Sequence, residues 1–348
     1  MRLVFLGLSI TSSWGNGHAT NYRALCSALR ERGHDVLFLE RDKPWYASGR
    51  DFSPEWVRLY DAVEDLSAWA EDVREADLVV VGSFVPDGVA VAEWALETAR
   101  GPVAFWDIDT PVTAAALGRG ECEYLTPALV PRFDLYLSFT GGPLLDELGA
   151  RRPHAFWCMV DADAYAPVAG EPRWQLGYLG TYAADRQPAL EELLLRPARR
   201  SRGWRFAVAG PMYPDSIEWP VNVDLIDNVP PRRHPAFYSA QRFTLNLTRA
   251  DMIRAGWSPS VRLFEAAACA VPIISDWWEG LDTFFEPDRE LLVAHDADDV
   301  LRFLTDVPED ERRRIGGRGR VRVLREHTAV RRAAELERLV HELESAAA

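Results

Sequence analysis

The sequence of 348 residues contains a single lysine, Lys43. The other 38 of its 39 lysine and arginine residues are arginines. A P-loop requires a lysine after its glycine-rich phosphate-binding turn, and a Schiff-base enzyme requires a reactive lysine. The scarcity of lysine excludes P-loop nucleotide hydrolysis and argues against Schiff-base chemistry. Any phosphate that this chain binds through a cationic side chain should therefore be bound by arginine.

The sequence also lacks cysteine motifs and long apolar runs. Its four cysteines show no CxxC or metal-ligand spacing, so we expect reduced thiols in a cytoplasmic protein without a metal site. The apolar start of the chain is too short for a signal peptide, and no stretch approaches the ~18 apolar residues of a membrane span. The net charge of −14 argues against a nucleic-acid partner.

Short apolar runs alternate with helical patterns along the chain, which is typical of parallel α/β units. A break at residues 160–172 separates two such series. We therefore predict two Rossmann-like, doubly wound domains, residues 1–167 and 168–330, with ligands bound in a cleft between the carboxyl ends of their strands. Residues 331–348 form a helical tail, and the glycines at 316–319 predict a helix break before it. The predicted strands are residues 3–8, 35–39, 78–81, 103–106, 135–139, 154–158, 176–179, 205–208, 223–226, 243–247, 272–275 and 291–294.

The loop after the first predicted strand carries residues that could contact a ligand. Gly15 and Gly17, with Asn16 between them, allow a close approach of the backbone, and a helix that begins near His18 directs its amides at anions. His18 is either a general base or a residue that caps or packs the helix.

Two aspartates follow the predicted strand at residues 103–106. Asp107 or Asp109 could orient His18 or contact a sugar hydroxyl, and the alternative role is the cap of the next helix. We favour Asp109 for the site because it lies nearer the tip of the strand.

The second series repeats the order of strand, glycine loop and helix. Arg186, at a helix start after Gly180, Thr181 and Tyr182, is placed to bind an anion, and its alternative is a solvated surface position. A later strand ends near Arg249.

The most informative segment is residues 258–269. A helix begins here at a proline, a serine supplies its N-cap, and its free amides can hold phosphate. Glu265 lies about one turn into the helix, where a carboxylate can accept hydrogen bonds from the two vicinal hydroxyls of a ribose. The alternative for Glu265 is a salt bridge to Arg262. The start of the segment is Ser258, Pro259, Ser260, Val261 and Arg262.

This segment, together with residues 272–281 (PIISDWWEGL), resembles the CgeB-like (spore-maturation-type) glycosyltransferases of the GT-B fold, and residues 177–186 and 245–252 fit the same family. The resemblance implies two Rossmann-like domains and a hexosyltransferase-like enzyme that uses a nucleotide diphosphate sugar, with no cofactor and no obligatory metal. The C-terminal domain would bind the nucleotide. The N-terminal domain would bind the acceptor, a small molecule, glycan or natural product, and the last helix would pack on that domain.

Site residues follow from the resemblance by position. Glu265 would bind the ribose, and Arg186 and Arg249 would neutralise the diphosphate. The predicted catalytic residues are thus these two arginines together with His18 and Asp109. The implied donor-binding residues are Gly15, Asn16, Gly17, Gly180, Thr181, Tyr182, Met252, Ser258, Pro259, Ser260, Val261, Arg262 and Glu265.

Two departures from the family pattern affect these expectations. Related retaining enzymes commonly carry a Glu-x7-Glu pattern, and the first of these positions is Trp257 here. They also often use an arginine–lysine pair on the diphosphate, whereas the second half of this chain has no lysine. We expect retention of configuration without a metal. The alternatives are an inverting transferase that uses His18 and Asp109, a nucleotide-sugar epimerase, or a non-catalytic scaffold that binds sugar nucleotide.

Overall fold

The computed structural model describes residues 1–13, 18–47 and 49–347. Contacts between residues divide the chain into two compact units. The first unit consists of Met1–Met159 and Ala329–Ala348, and the second unit consists of Val160–Thr328. In the described ranges, no helix is both long and apolar enough to cross a membrane.

The first unit is built on a parallel sheet of seven strands in the order β3-β2-β1-β4-β5-β6-β7. The chain runs outward from β1 to one edge and then returns to fill the other side, so β1 and β4 are neighbours at the topological switch point. Ligands of doubly wound sheets bind at the carboxyl ends of strands at this point. The strands are β1 (Arg2–Gly7), β2 (Asp35–Arg41), β3 (Val57–Tyr60), β4 (Leu78–Gly82), β5 (Val103–Asp107), β6 (Leu135–Ser138) and β7 (Pro153–Ala155).

Helices cover the sheet of the first unit, as the absence of polar alternation in its strands predicts. The strands β4, β5 and β6 are completely buried, and each buried Val, Leu or Phe side chain contributes roughly 1.5–3 kcal/mol to folding. The helices are α1 (Ala19–Glu31), α2 (Pro44–Ala47), α3 (Ala70–Arg74), α4 (Gly88–Thr98), α5 (Thr110–Arg119) and α6 (Gly142–Glu147), with the C-terminal α15 (Ala329–Ala347).

Charged side chains attach α15 to the first unit. Glu337 accepts hydrogen bonds from Arg32 at 2.6 Å and lies 2.6 Å from His34 Nε2. These partners lower the pKa of the Glu337 carboxyl to about 2. Two residues earlier, Glu335 lies 2.7 Å from His154 Nε2 and pairs with Arg332.

The second unit is built on a parallel sheet of six strands in the order β10-β9-β8-β11-β12-β13. Its switch point lies between β8 and β11, because the chain runs from β8 to one edge and from β11 to the other. The strands are β8 (Trp174–Leu179), β9 (Phe206–Ala209), β10 (Val223–Ile226), β11 (Gln241–Asn246), β12 (Ile273–Ser275) and β13 (Leu292–Val293).

The helices of the second unit vary in length and regularity. α7 (Gln187–Leu190) passes through a π-helical segment, Glu191–Leu195, into α8 (Arg196–Arg200). The remaining helices are α9 (His234–Ser239), α10 (Ala250–Ala255), α11 (Val261–Ala268), α12 (Leu281–Phe284), α13 (Ala297–Asp306) and α14 (Glu309–Glu326).

The predicted break at residues 316–319 is wrong, because α14 continues through these glycines. A Cβ on Gly316 would lie 2.2 Å from the carbonyl oxygen of Ala270, and one on Gly319 would lie 2.9 Å from that of Glu290. These two glycines therefore allow α14 to pack closely on the loops before β12 and β13.

Candidate functional site

In the first unit, His18 and Asp109 lie together at the carboxyl end of the sheet. His18 immediately precedes α1, and Asp109 immediately precedes α5. The distance from His18 Nε2 to Asp109 Oδ2 is 3.5 Å, and both side chains are largely buried. The alternative role of Asp109 is not observed, because its side chain makes no capping hydrogen bond to α5. The predicted pair is thus brought together, and its catalytic role stays a prediction.

The neighbouring Asp107 has a different environment. It is fully buried and accepts hydrogen bonds from Tyr136 Oη at 2.7 Å and Thr113 Oγ1 at 2.8 Å. Burial raises the pKa of its carboxyl, and these hydroxyl donors oppose that shift. The preference for Asp109 over Asp107 agrees with this geometry, since Asp107 is occupied in holding β5, β6 and α5 together.

The start of the loop after β1 is held by a buried carboxylate on β2. Glu40 accepts hydrogen bonds from the amides of Ile10 and Thr11 at 2.8 and 2.9 Å and from the hydroxyls of Ser9 and Thr11 at 2.9 and 2.7 Å. This anchor precedes the loop residues Gly15, Asn16 and Gly17, which lie outside the described residues.

A cavity of about 700 Å³ opens beside His18 and Asp109. Phe84, which follows β4, stacks on the His18 imidazole with ring centroids 6.4 Å apart and planes inclined by 10°. Phe84 and Asp87 both have positive φ angles, 62° and 55°, in the loop that forms one wall. Such conformations cost free energy and often occur at functional sites. Lys43 also lines this cavity.

In the second unit, Arg262 lies at the switch point between β8 and β11. It is 8% exposed, and its guanidinium donates hydrogen bonds to the carbonyl of Leu179 and to Asn246 Oδ1, the latter at 3.1 Å. It also lies over the Tyr178 ring, 4.9 Å from the centroid. The alternative salt bridge between Arg262 and Glu265 is not found among the contacts of the described residues, in which Glu265 faces Tyr238 and His234.

Arg186 and Arg249 belong to the same electrostatic environment as Arg262. Arg186 donates a hydrogen bond from Nη2 to the carbonyl oxygen of Thr181 at 2.7 Å, while its buried Nε has no hydrogen-bond partner among the described residues. Burial lowers the pKa of Arg186, and the positive charges of Arg262 and Arg249 add to this shift. Arg249 Nε lies 3.9 Å from Asp185 Oδ2. Three guanidiniums therefore concentrate positive charge that an anion would neutralise.

The start of α11 adds main-chain donors to these arginines. Ser260 occupies the N-cap position, but its hydroxyl makes no capping bond and donates instead to Asn246 Oδ1 at 2.8 Å. The first amides of a helix lack intrahelical partners and favour anions. Val261 is the first residue of α11, and the preceding Ser258 and Pro259 are buried.

The loop after β8 closes tightly around the arginines. A Cβ on Gly180 would lie 2.6 Å from the Tyr178 hydroxyl and 2.9 Å from Arg262 Nη2, so a side chain here would displace these two groups. Tyr213 Oη donates to the Gly180 carbonyl at 3.0 Å, and its ring contacts Tyr182 with centroids 5.6 Å apart. Gly180 and Thr181 thus lie next to the arginine cluster, and Tyr182 lies against Tyr213 in the same loop region, while their role in donor binding stays a prediction.

The loop after β11 is fixed by Asp276. The backbone amide and the hydroxyl of Thr248 each donate to this carboxylate at 2.8 Å. Arg249 follows directly, and α10 begins after it, with Met252 buried on that helix. No described contact joins Met252 to the arginines, so its role at the donor stays a prediction.

Glu265 lies in a polar network that the sequence did not reveal. It is 4% exposed, and its Oε2 accepts a hydrogen bond from Tyr238 Oη at 3.2 Å and lies 3.5 Å from His234 Nδ1. Tyr165 Oη lies 3.1 Å from the same His234 nitrogen. Burial and the Glu265 charge raise the pKa of both tyrosines. The spacing of these residues, about 30 and 100 positions apart, carries no local signal.

Trp257, which replaces the family glutamate, has a strained backbone. Its φ angle is 40°, and its amide donates to the carbonyl oxygen of Glu279 at 2.7 Å. Glu279 itself is exposed. Among the described residues, no group of three or more His, Cys, Asp or Glu side chains is arranged to hold a metal ion.

Comparison with known proteins connects these features to one class of protein. Residues 186–338 match the family model described as glycosyl transferase-like. This match contains Arg186, Arg249, Arg262 and Glu265. No protein of curated function matches the sequence significantly.

Solved structures resemble the whole chain. Sucrose-phosphate synthase from Thermosynechococcus elongatus matches with a TM-score of 0.69 and 15% identity, over 99% of this chain and 100% of that one. HepE of Anabaena, in complex with UDP and glucose, matches with a TM-score of 0.72 and 10% identity, over 98% and 100%. An alpha-glucosyltransferase in complex with UDP matches with a TM-score of 0.71 and 10% identity, over 97% and 99%. The predicted two-domain α/β fold of the GT-B type is confirmed, and together with the family match these similarities support a glycosyltransferase.

Proposed function

We propose that this protein transfers a hexose from a nucleoside diphosphate sugar to an acceptor hydroxyl, as a CgeB-like enzyme. The observation that carries the proposal is the cluster of Arg186, Arg249 and Arg262 at the switch point of the second unit. Their charges lie beside the start of α11, whose N-cap side chain makes no capping hydrogen bond, and burial lowers the pKa of Arg186, with a further contribution from the charges of the other two. A diphosphate would offset this repulsion.

The same groups suit the chemistry of the reaction. Negative charge develops on the leaving diphosphate, and fixed donors aimed at such charge usually supply the largest part of catalysis. Glu265 would accept the ribose hydroxyls, held in place by Tyr238 and His234. We propose UDP as the nucleotide, because UDP is present in the structures of HepE and alpha-glucosyltransferase.

We propose that transfer retains the anomeric configuration and needs no metal, in line with the family resemblance. Three arginines and helix-end amides can neutralise a diphosphate without a cation. In this mechanism the leaving diphosphate takes up the proton from the attacking hydroxyl of the acceptor substrate, so no side-chain base is required.

Inversion is the second candidate, and the geometry of the first unit favours it. His18 Nε2 lies 3.5 Å from Asp109, which can orient the imidazole as a base for the acceptor hydroxyl. Replacement His18→Gln should then reduce kcat at least a hundredfold. Under retention the same replacement should reduce kcat much less. Proton NMR, which identifies the anomer of the product, distinguishes the inverting from the retaining mechanism.

The experiment that tests the proposal is a thermal-shift screen with UDP, UDP-glucose and other nucleotide sugars, followed by assay of nucleotide release. A ligand that binds only the native state raises Tm. At a ligand concentration of a hundred times Kd, it raises the free energy of unfolding by about 2.7 kcal/mol. Release of UDP only with an acceptor supports transfer. Conversion of the sugar without release identifies an epimerase, and binding without turnover identifies a scaffold. If no nucleotide or nucleotide sugar raises Tm, the proposal is refuted.

A further inference from the structure

The cavity of the first unit has aromatic walls. The Phe84 ring lies over His18, and Tyr124 packs against Phe84 with ring centroids 4.7 Å apart. The hydroxyl of Tyr124 lies 2.8 Å from Thr113 Oγ1, so it is engaged within the protein. Trp45, which is 54% exposed, and Tyr46, which is half-buried, also line the cavity. Four aromatic side chains therefore line the cavity that also contains His18 and Asp109.

The charges that line the cavity are mainly negative. The acidic lining residues are Asp87, Asp109, Glu121 and Glu123, whereas Lys43 is the only lysine or arginine among the described lining residues. Two of the carboxylates have arginine partners: Asp87 lies 3.1 Å from Arg41, and Glu121 lies 2.5 Å from Arg119.

The cation of Lys43 is also partly engaged. Its Nζ lies 5.6 Å from the centre of the Trp45 ring, a cation–π distance. Glu123 is exposed at the cavity wall without an ion pair among the described residues. Glu123 therefore adds negative charge that the described ion pairs do not balance, and the lining offers an anionic ligand only Lys43 as a lysine or arginine partner among the described residues. Like charges near a protein surface cost on the order of a kcal/mol or more.

The size of the cavity limits the ligand to a small molecule. A volume of about 700 Å³ lies within the usual range of roughly 300–1,000 Å³ for small-ligand pockets. A flat ring system suits a cavity lined by Phe84, Tyr124, Trp45 and Tyr46, and a hydroxyl on that ring could be bound by His18, which lines the same cavity.

We infer that the acceptor is a hydroxylated aromatic small molecule that carries no anionic group. This inference rests on the proposed function, because it takes the cavity beside His18 as the acceptor site. The inferred acceptor differs from the DNA that is bound in a structure of alpha-glucosyltransferase with a 13-mer DNA, because the phosphates of DNA would face carboxylates in this cavity.

The inference is tested by binding of two matched fluorescent probes to the full chain without a donor. Umbelliferone is a neutral hydroxylated ring at a pH below the pKa of its phenol, and a second probe adds one carboxylate to the same ring. Fluorescence titration should give a Kd about tenfold lower for the neutral probe.

Three variants identify the binding site. Trp45→Ala removes an exposed ring and should raise the umbelliferone Kd about tenfold. Glu123→Lys should reduce the discrimination against the carboxylated probe to about twofold or less. Val330→Ala, an exposed apolar residue on α15 outside the cavity, is the matched control and should change neither Kd.

Equal or tighter binding of the carboxylated probe would overturn the inference, and so would failure of both probes to bind or binding that Trp45→Ala leaves unchanged. None of these readouts involves nucleotide. A failure of the proposed function would instead appear as the absence of a thermal shift with nucleotides, so the two failures are distinguishable.

Discussion

Replacement of Arg186 by glutamine provides a sharp test of the arginine cluster, because stability and ligand affinity should respond differently. Arg186→Gln removes one positive charge from a group of three and keeps a side-chain donor. The lost hydrogen bond to the Thr181 carbonyl contributes about 1 kcal/mol. Relief of repulsion from Arg249 and Arg262 offsets that loss. We expect the free energy of unfolding without ligand to change by less than about 1 kcal/mol.

The affinity for UDP should fall strongly in the same variant. A hydrogen bond from a guanidinium to phosphate contributes about 1.5–3 kcal/mol, which corresponds to a rise in Kd of about 10- to 150-fold. Isothermal titration calorimetry with UDP and with uridine separates this effect from base and ribose contacts. Uridine lacks the diphosphate, so its Kd should be unchanged.

The matched control for this variant is Arg254→Gln. Arg254 lies on α10, is 70% exposed and pairs with Asp251 one turn away. Such surface pairs contribute little, so both UDP affinity and stability should be unchanged. A UDP Kd of Arg186→Gln within twofold of the unaltered protein would refute the assignment of the cluster to the diphosphate.

The remaining predictions concern other parts of the two units. Glu265→Gln should raise the Kd of UDP about tenfold in calorimetry and leave that of dideoxy-UDP, which lacks both ribose hydroxyls, unchanged. The folded-state pKa of Glu337 is about 2, below its ordinary 4.5, so its stabilisation is complete above pH 4.5 and is lost as pH falls towards 2. Glu337→Gln should therefore lower stability at neutral pH by roughly 1 kcal/mol after solvent screening, and unfolding curves should converge with the unaltered protein near pH 2. Gly316→Ala should destabilise by about 1–3 kcal/mol, because its Cβ would meet the Ala270 carbonyl at 2.2 Å. Gly317→Ala, with nothing within 4 Å, should stabilise α14 by up to about 1 kcal/mol, and urea unfolding measures both.

The sequence predicted most of the two sheets, because strands covered on both faces are nearly continuous apolar runs. The exception is β3, Val57–Tyr60, in which Arg58 and Leu59 are exposed. It lies at the edge of the sheet and has only one neighbour, so its sequence carries a mixed pattern. The predicted helix break at the glycines of α14 was wrong for a different reason. Sequence alone does not distinguish a glycine that ends a helix from one that allows another backbone to approach.

The sequence could place candidate site residues on loops that follow strands, since topology alone puts those loops at one edge of the sheet, and the roles of these residues stay predictions. His18 and Asp109 follow β1 and β5, and their side chains meet at 3.5 Å. The network around Glu265 could not be predicted in this way. Tyr165, His234 and Tyr238 come from a connecting segment and from α9, and their approach to α11 depends on helix packing.

The position of Lys43 has a practical consequence for chemical labelling. It is the chain's only lysine, and it lines the cavity beside His18. An α-amine ordinarily has a pKa of about 8, so the amino terminus can be acylated first near neutral pH, where a lysine amine, with an ordinary pKa of about 10.4, is still protonated. An amine-reactive dye applied afterwards at higher pH would attach at this one side chain. The labelled residue would carry its fluorophore at the cavity wall next to Trp45, so tryptophan-to-dye energy transfer and dye quenching would report occupancy directly. Because the chain has a single lysine, one dye per molecule would report ligand binding in this cavity.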